Sequence, residues 1–407
     1  MNGAGFSTGG AGFGEGAGPG QSLPGVASGI NGSLGVAIGA SNIAIGSPDI
    51  AIGSPHIAIG GPDIAIGSPH IAIGGPDIAI GSPGLPPGCL GLLSGGSGAL
   101  SEGRDPLPTP PVLLAPPPCS SPAPFLLILV PSAPSHRDNR DAVRDTWGGA
   151  WPWAEPGGAP PLPTRTVFVL GAAPSPQSQR DLLQESRQYR DILLGDFRDV
   201  YANLTLKTLL LLRWARSCCE AAPFLLKADD DIFLNVPSIA TLLSRPSTPP
   251  RLYLGRVHWR VSPNRDPRSR HHVPRVLYPE SSFPPYCSGT AYALSRQAAT
   301  ALLAAAPGVP LVAPEDVWVG LCARRAGVAA RHSARFAGGA RFPLERCCAG
   351  RALLSAHGLR PREMRGLWGA LRSAGGPAGV CGALQAALGV LRCRAMALGE
   401  WIWGTRE

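Results

Sequence analysis

Three adjacent carboxylates, Asp229, Asp230 and Asp231, follow the apolar stretch Pro223-Phe-Leu-Leu-Lys227 and precede Ile232, Phe233 and Leu234. Crowding like charges at one place is costly unless something uses the charge, and a divalent cation does. Oxygen ligands suit Mg2+ or Mn2+, which take one or two protein carboxylates and leave positions for diphosphate oxygens. The competing reading has Asp231 capping the next helix while the other two face water. A second acidic spot, Glu315 and Asp316, opens a helix expected over residues 315–325. Complementing the helix dipole is enough to explain acids there. Beside a metal-bound donor, a carboxylate at that place can also take the proton of an acceptor hydroxyl as general base.

Other residues carry weaker signals. Arg140 and Arg144 are four apart and share a helix face, where paired guanidinium groups suit phosphate oxygens; solvated surface arginines are the alternative. His357 gains no role from its spacing. Tyr286-Cys-Ser-Gly-Thr290 has the composition of a Gly-centred turn where a ligand could approach the backbone. Trp147, Trp259 and Trp318 fit either a core or a sugar-stacking platform.

The elements that must position these residues follow from the apolar pattern. Residues 125–130, 165–170, 191–194 and 223–227 read as strands, the second ended by Gly171. Residues 137–147, 178–190 and 204–218 read as helices. Alternating strands and helices indicate an α/β fold with a mostly parallel sheet flanked by helices. Ligands sit beyond the carboxyl ends of strands in such sheets, and the acidic triple lies at one.

Composition divides the chain of 407 residues at about residue 123. Residues 1–123 hold one basic residue, Arg104, and six acidic ones, so the net charge of +9 is carried entirely by residues 124–407. A basic body suits an anionic ligand. Nucleic acid is the poorer candidate, since the arginines are scattered, lysine is almost absent and no zinc-finger, basic-zipper or RNA-stacking pattern occurs. Residues 43–84 are six tandem heptads of the type IAIGSPD. Pro and Gly in each copy exclude a coiled coil, and the Pro with Asp or His excludes a membrane span. Each Ile-Ala-Ile piece can extend, but three residues are too few to build a sheet alone. Residues 1–123 are therefore expected to form a disordered or weakly ordered leader, with a Pro-rich linker at 106–118. No signal peptide is visible. None of the ten cysteines forms a Cys-x-x-Cys pair, which leaves buried thiols or secretory-pathway disulfides. The sequons at Asn31 and Asn203 favour the latter.

Five ordered motifs then narrow the reading. They are Arg140-Asp-Ala-Val-Arg-Asp-Thr-Trp-Gly148, Phe197-Arg-Asp-Val-Tyr-Ala-Asn-Leu-Thr-Leu-Lys-Thr208, Leu226-Lys-Ala-Asp-Asp-Asp-Ile-Phe-Leu-Asn235, Phe283-Pro-Pro-Tyr-Cys-Ser-Gly-Thr290 and Glu315-Asp-Val-Trp-Val-Gly320. Over residues 124–395 the body resembles the β-1,3-glycosyltransferases, which include β-1,3-galactosyltransferases and β-1,3-N-acetylglucosaminyltransferases. Leu252-Tyr-Leu-Gly-Arg-Val-His-Trp-Arg-Val261, Glu345-Arg-Cys-Cys348 and Gly389-Val-Leu-Arg-Cys-Arg-Ala395 are most similar to the members that build gangliosides.

The resemblance implies a catalytic domain at 124–407 with the GT-A fold, a nucleotide-diphospho-sugar transferase architecture. It implies inverting transfer of galactose from UDP-galactose to the 3-hydroxyl of a terminal N-acetylgalactosamine, converting a GM2-type glycolipid to a GM1-type product. N-acetylglucosamine transfer to a glycan, or sugar-nucleotide binding without catalysis, are the alternatives. Carried onto this chain, Asp231 and His357 would hold Mn2+ or Mg2+, and Asp229 and Asp230 would lie near ribose and diphosphate. Arg140, Arg144 and Lys207 would surround the nucleotide, and Asp316 would be the base. Family members are Golgi membrane proteins with a lumenal catalytic domain and one N-terminal apolar span. The heptad-rich leader stands in place of that span here, and a faulty or alternative first exon is the expected explanation over another mode of anchoring.

Overall fold

The computed structural model describes residues 110–149, 162–337 and 347–375, seven short strands between 36 and 80, and single positions at 89, 92, 107, 391 and 393. The Asn31 sequon and Cys381 lie outside the described residues. The chain divides into two compact units, Met1–Ala79 and Ile80–Glu407.

A strand β1 (Val36–Ile38) precedes the repeats, and each of the six repeats contributes one more: β2 (Ile43–Ile45), β3 (Ile50–Ile52), β4 (Ile57–Ile59), β5 (Ile64–Ile66), β6 (Ile71–Ile73) and β7 (Ile78–Ile80). Alternate strands pair, giving one sheet in the order β1-β3-β5-β7 and another in the order β2-β4-β6. The strands are parallel and in register, with Ile50 opposite Ile64 and Ile57 opposite Ile71. The expectation that Ile-Ala-Ile is too short to build a sheet considered one repeat in isolation. Tandem identical copies supply each strand with partners two repeats away.

The second unit is built on an eight-stranded sheet in the order β16-β14-β15-β12-β9-β10-β11-β8. Its strands are β8 (Val112–Leu114), β9 (Leu126–Pro131), β10 (Thr164–Ala172), β11 (Ile192–Arg198), β12 (Phe224–Ala228), β14 (Tyr253–His258), β15 (Tyr286–Ser295) and β16 (Ala330–His332). The central run β12-β9-β10-β11 is parallel, as is the β14-β16 pair, while β15 runs antiparallel to both of its neighbours and β8 to β11. The α/β class and largely parallel sheet expected from the pattern are present. Leu126 to Val130, Val167 to Leu170 and Ile192 to Leu194 are fully buried, as continuous apolar runs in a covered parallel sheet must be.

Helices connect the strands: α1 (Arg137–Asp145), α2 (Pro176–Tyr189), α3 (Leu204–Cys218), α4 (Val236–Leu243), α5 (Arg296–Ala305), α6 (Glu315–Arg325) and α7 (Pro361–Ser373). Ser175 caps α2 by accepting from the Ser178 N–H, and Asn235 caps α4 by accepting from the Ser238 N–H. A second, two-stranded sheet pairs β13 (Ile232–Leu234) with β17 (Ser355–His357) antiparallel.

Three expectations change. Gly171 does not end β10, which runs on to Ala172 beside β11. Tyr286 to Thr290 is not a turn but the start of β15. The boundary at 123 also moves. Val112 and Leu114 lie on β8, the edge strand paired with β11, and disulfides join Cys89 to Cys218 and Cys119 to Cys219 at the end of α3. Composition marked this segment as leader because Pro and Gly surround it; the edge of a sheet is where such a strand is tolerated.

This has a measurable consequence. A chain beginning at residue 118 loses β8 and the Cys89–Cys218 bridge, whereas one beginning at residue 85 keeps both. Loss of a native disulfide typically costs about 2–5 kcal/mol. The shorter chain should unfold at a clearly lower urea midpoint than the longer one; equal midpoints would place residues 85–117 outside the folded unit.

Candidate active site

Parallel neighbours end at the same edge of a sheet, and the candidate residues collect there. β12 runs into Asp229, Asp230 and Asp231; β9 runs into Ser132 and the start of α1; β11 runs into Asp199. The three aspartates do not share a direction.

Asp229 and Asp231 come together with His357. One ligand atom from each lies within 4.8 Å of the other two, and all three residues are half-buried. His357 Nε2 is 3.4 Å from Asp231 Oδ1. The two-stranded sheet makes this meeting: Ile232 is opposite His357, and the Leu359 N–H donates to the Asp231 carbonyl at 2.8 Å. Hydrogen bonding to Asp231 raises the His357 pKa and lowers that of Asp231 against the effect of burial. Two carboxylates and an imidazole with open faces are a donor set that fits a divalent cation such as Mn2+.

Asp230 points the other way and is buried. It accepts from Ser132 Oγ at 2.7 Å and from Asn139 Nδ2 at 3.2 Å, and His136 Nδ1 lies 2.9 Å from it. It fastens the loop after β9 and the start of α1 to the end of β12.

Arg140 is fully buried and makes a two-pronged contact with Glu185, Nε to Oε1 at 2.8 Å and Nη2 to Oε2 at 2.7 Å. It also donates to Ser132 Oγ at 3.1 Å and to the Ala133 carbonyl. Arg144 binds both oxygens of Asp191, at 2.8 and 2.9 Å, and its guanidinium lies 4.0 Å from the Tyr189 ring centre. Lys207 is buried, donating to the Ser132 carbonyl at 2.7 Å and to Asp199 at 2.8 Å; burial depresses its pKa against the pull of Asp199. All three cations, expected around the nucleotide, are engaged by the chain's own acceptors in this structure. Helical spacing did place Arg140 and Arg144 on one face, but that face is turned to Glu185 and Asp191, where ion pairing meets the cost of burial.

The opening of α6 carries the second acidic pair. Glu315 is buried: its Oε2 accepts from Thr208 Oγ1 at 3.1 Å and Tyr292 OH at 3.3 Å. Asp316 is half-buried, and takes the Gly289 N–H on Oδ2 at 3.0 Å and the Val317 N–H on Oδ1 at 2.8 Å. A Cβ on Gly289 would come within 2.9 Å of Glu315 Oε1 and 3.4 Å of Asp316 Oδ2, so only glycine lets β15 donate to Asp316 at this approach. Burial raises the Asp316 pKa; the two N–H donors restrain the rise and the Asp229 charge adds to it. Of the two acids, Asp316 is the one with a face left for a substrate.

Lys227 joins the two acidic groups, and the sequence reading passed over it. Its Nζ lies 2.6 Å from Asp229 Oδ1 and 3.0 Å from Glu315 Oε1, and it also donates to the Gly289 carbonyl. The signal was there: a lysine inside an apolar strand. Burial, with Glu315 and Asp231 nearby, pushes the Asp229 pKa up to about 6 despite Lys227. Ser132, His136 and Asn139 were missed because only the adjacency of β9 and β12 brings them to Asp230. Trp147 and Trp318 are core residues, whereas Trp259 is exposed and lies 5.1 Å from the His332 ring.

Residues 138–334 match the family model for Galactosyltransferase. The mouse protein Beta-1,3-galactosyltransferase 4 is 42% identical over 308 residues, 68% of this chain and 81% of that protein. The chain belongs to the β-1,3-galactosyltransferase family. The human Beta-1,3-galactosyltransferase 4 is 41% identical over 69% of this chain and 82% of its own length. The human N-acetyllactosaminide beta-1,3-N-acetylglucosaminyltransferase 4 is 37% identical, over 65% of this chain and 71% of its own length. The motif carrying Asp229 to Asp231 and the one carrying Asp316 both fall within the family match; His357 lies beyond it.

The opposed directions of Asp230 and Asp231 can be separated by experiment. Asp231→Ala should abolish Mn2+ binding in calorimetry while leaving thermal stability near wild type. Asp230→Ala removes the acceptor of a buried network and should destabilise by about 1–3 kcal/mol, lowering the melting temperature. The opposite pattern would reverse the two roles.

Proposed function

We propose that this galactosyltransferase-family enzyme moves galactose from UDP-galactose to the 3-hydroxyl of a terminal N-acetylgalactosamine on a GM2-type glycolipid, with inversion. The observation that carries the reading is the pairing of a cation-fitting group, Asp229, Asp231 and His357, with a half-buried Asp316 linked to it through Lys227. Galactosyl transfer rests on the similarity to Beta-1,3-galactosyltransferase 4, and the glycolipid acceptor on the resemblance carried by residues 252–261, 345–348 and 389–395.

A divalent ion bound by Asp229, Asp231 and His357 would supply positive charge at the diphosphate. Asp316 accepts the proton of the acceptor 3-hydroxyl. The freed oxygen attacks the anomeric carbon opposite the leaving UDP, whose bond breaks with its electron pair, so an α-linked donor gives a β-linked product. Inverting glycosidases place their base on the opposite face for the same reason. The Gly289 and Val317 N–H groups hold the Asp316 carboxylate in one orientation while burial keeps it basic.

The same reading places the enzyme in the Golgi lumen, at the membrane. The disulfides Cys89–Cys218, Cys119–Cys219 and Cys348–Cys393 are consistent with an oxidising compartment. Among the described residues no helix is long and apolar enough to cross a membrane.

The decisive test is a screen of UDP-galactose against UDP-N-acetylglucosamine with GM2 among the acceptors. Galactose transfer to GM2 is expected. Transfer from UDP-N-acetylglucosamine alone would assign the sibling activity, and UDP-galactose binding without turnover on any acceptor would make the chain a binding protein. In an active enzyme, Asp316→Asn should lower kcat by about 10²–10⁴-fold; full retention would sink the base assignment. The pH profile should agree. A base works deprotonated, so kcat should fall as pH drops through the Asp316 pKa, at a pH above the ordinary carboxylate range. The residual rate of Asp316→Asn should lack that acid limb.

A further inference from the structure

Lysine is rare in this chain. Only Lys207 and Lys227 occur among 36 basic side chains, and every other one is arginine. Both lysines are buried, and both lie against an aspartate at the carboxyl edge of the sheet. Lysine differs from arginine in being a compact point charge with three donors on a slender stem. Lys227 donates to Asp229 Oδ1 at 2.6 Å and to the Gly289 carbonyl, and forms an ion pair with Glu315 Oε1 at 3.0 Å.

Those contacts reach both halves of the site. Asp229 belongs to the cation-fitting group. Glu315 is the first residue of α6, one step before Asp316. Gly289 receives the Lys227 ammonium on its carbonyl and gives its N–H to Asp316 Oδ2 at 3.0 Å. Glu315 is fixed from its other side by Thr208 and Tyr292. One ammonium thus touches a group on the donor side and two groups adjoining the candidate base. It also separates Asp229 from Glu315, two carboxylates that would otherwise repel across a low-dielectric gap.

We propose that Lys227 is a positioning residue that sets the separation between the cation group and the Asp316 base, through its simultaneous hold on Asp229, Glu315 and Gly289. The inference rests on the transferase reading above. Holding Asp229 Oδ1 leaves the second oxygen of that carboxylate to turn towards Asp231 and His357. Holding Glu315 and Gly289 fixes the start of α6, and hence the line from Asp316 to the donor. In-line displacement is sensitive to this line, since a shift of about 1 Å can cost a hundredfold in rate.

The test uses two variants of the full chain, Lys227→Met and the double variant Lys227→Met with Glu315→Gln. The single variant strands the buried Glu315 and the half-buried Asp229 and can fail to fold. The double variant also removes the charge of the buried Glu315, leaving only the half-buried Asp229 without its partner, and so costs less in folding than the single one. Two readouts are taken from whichever variant is folded by circular dichroism: Mn2+-dependent binding of UDP by calorimetry, and kcat apart from KM with UDP-galactose. The expected result is a kcat lower by about a hundredfold and a half-saturating Mn2+ concentration higher by about tenfold, as when a group supporting a metal ligand is removed. A purely structural lysine would alter the melting temperature alone. A folded double variant with wild-type kcat and wild-type Mn2+ dependence overturns the proposal. Should the wild-type protein bind UDP with Mn2+ yet transfer no galactose, the transferase reading fails. The Mn2+ dependence of UDP binding in the variants then decides whether Lys227 supports the cation group.

Discussion

Crowded negative charge at the carboxyl edge of one sheet is the constraint on which the rest of this site depends. Asp229, Asp230, Asp231, Glu315 and Asp316 converge there, and Asp230 and Glu315 are buried. Left unpaired, such carboxylates would protonate or force the chain apart. The structure distributes the charge instead. Lys227 takes Asp229 and Glu315, the loop after β9 takes Asp230, and backbone N–H groups take Asp316. What remains, Asp231 with His357 and the open side of Asp229, is where a cation would complete the balance.

Around this centre lies a layer of internal ion pairs. Arg140 braces Glu185 and Ser132, Ser132 donates to Asp230, and Lys207 ties the Ser132 carbonyl to Asp199. Asp199 in turn accepts from the Gly171 N–H at the end of β10. The ends of β9, β10, β11 and β12 are therefore joined by side chains as well as by the sheet. A buried arginine or lysine is tolerable only when its partners are fixed, and here each partner stands on a different element of the fold. Motif residues with the chemistry to bind phosphate here join strand ends to one another.

Much of this was legible in the chain. The apolar runs gave β9, β10 and β12, and helices over 204–218 and 315–325 were read with the bounds the structure has. The Asp triple after a strand and the acid pair opening a helix marked both halves of the site. Short-range reasoning failed where the deciding partner was distant in sequence. The three aspartates look alike in the chain, yet Asp230 turns to residues some ninety positions earlier while Asp231 turns to His357. Spacing put Arg140 and Arg144 on one face but could not place Glu185 and Asp191 opposite them. The leader read as structureless because the partner of each three-residue strand lies two repeats away.

By itself the sequence determined the class of fold, the family and the chemical types available, because periodicity and motif order are local properties of the chain. Tertiary structure alone decided which carboxylates meet His357, which acids the buried arginine pairs with and that Lys227 stands between Asp229 and Glu315. Those outcomes depend on electrostatic pairing, which falls off over a few ångströms in space and takes no account of distance along the chain.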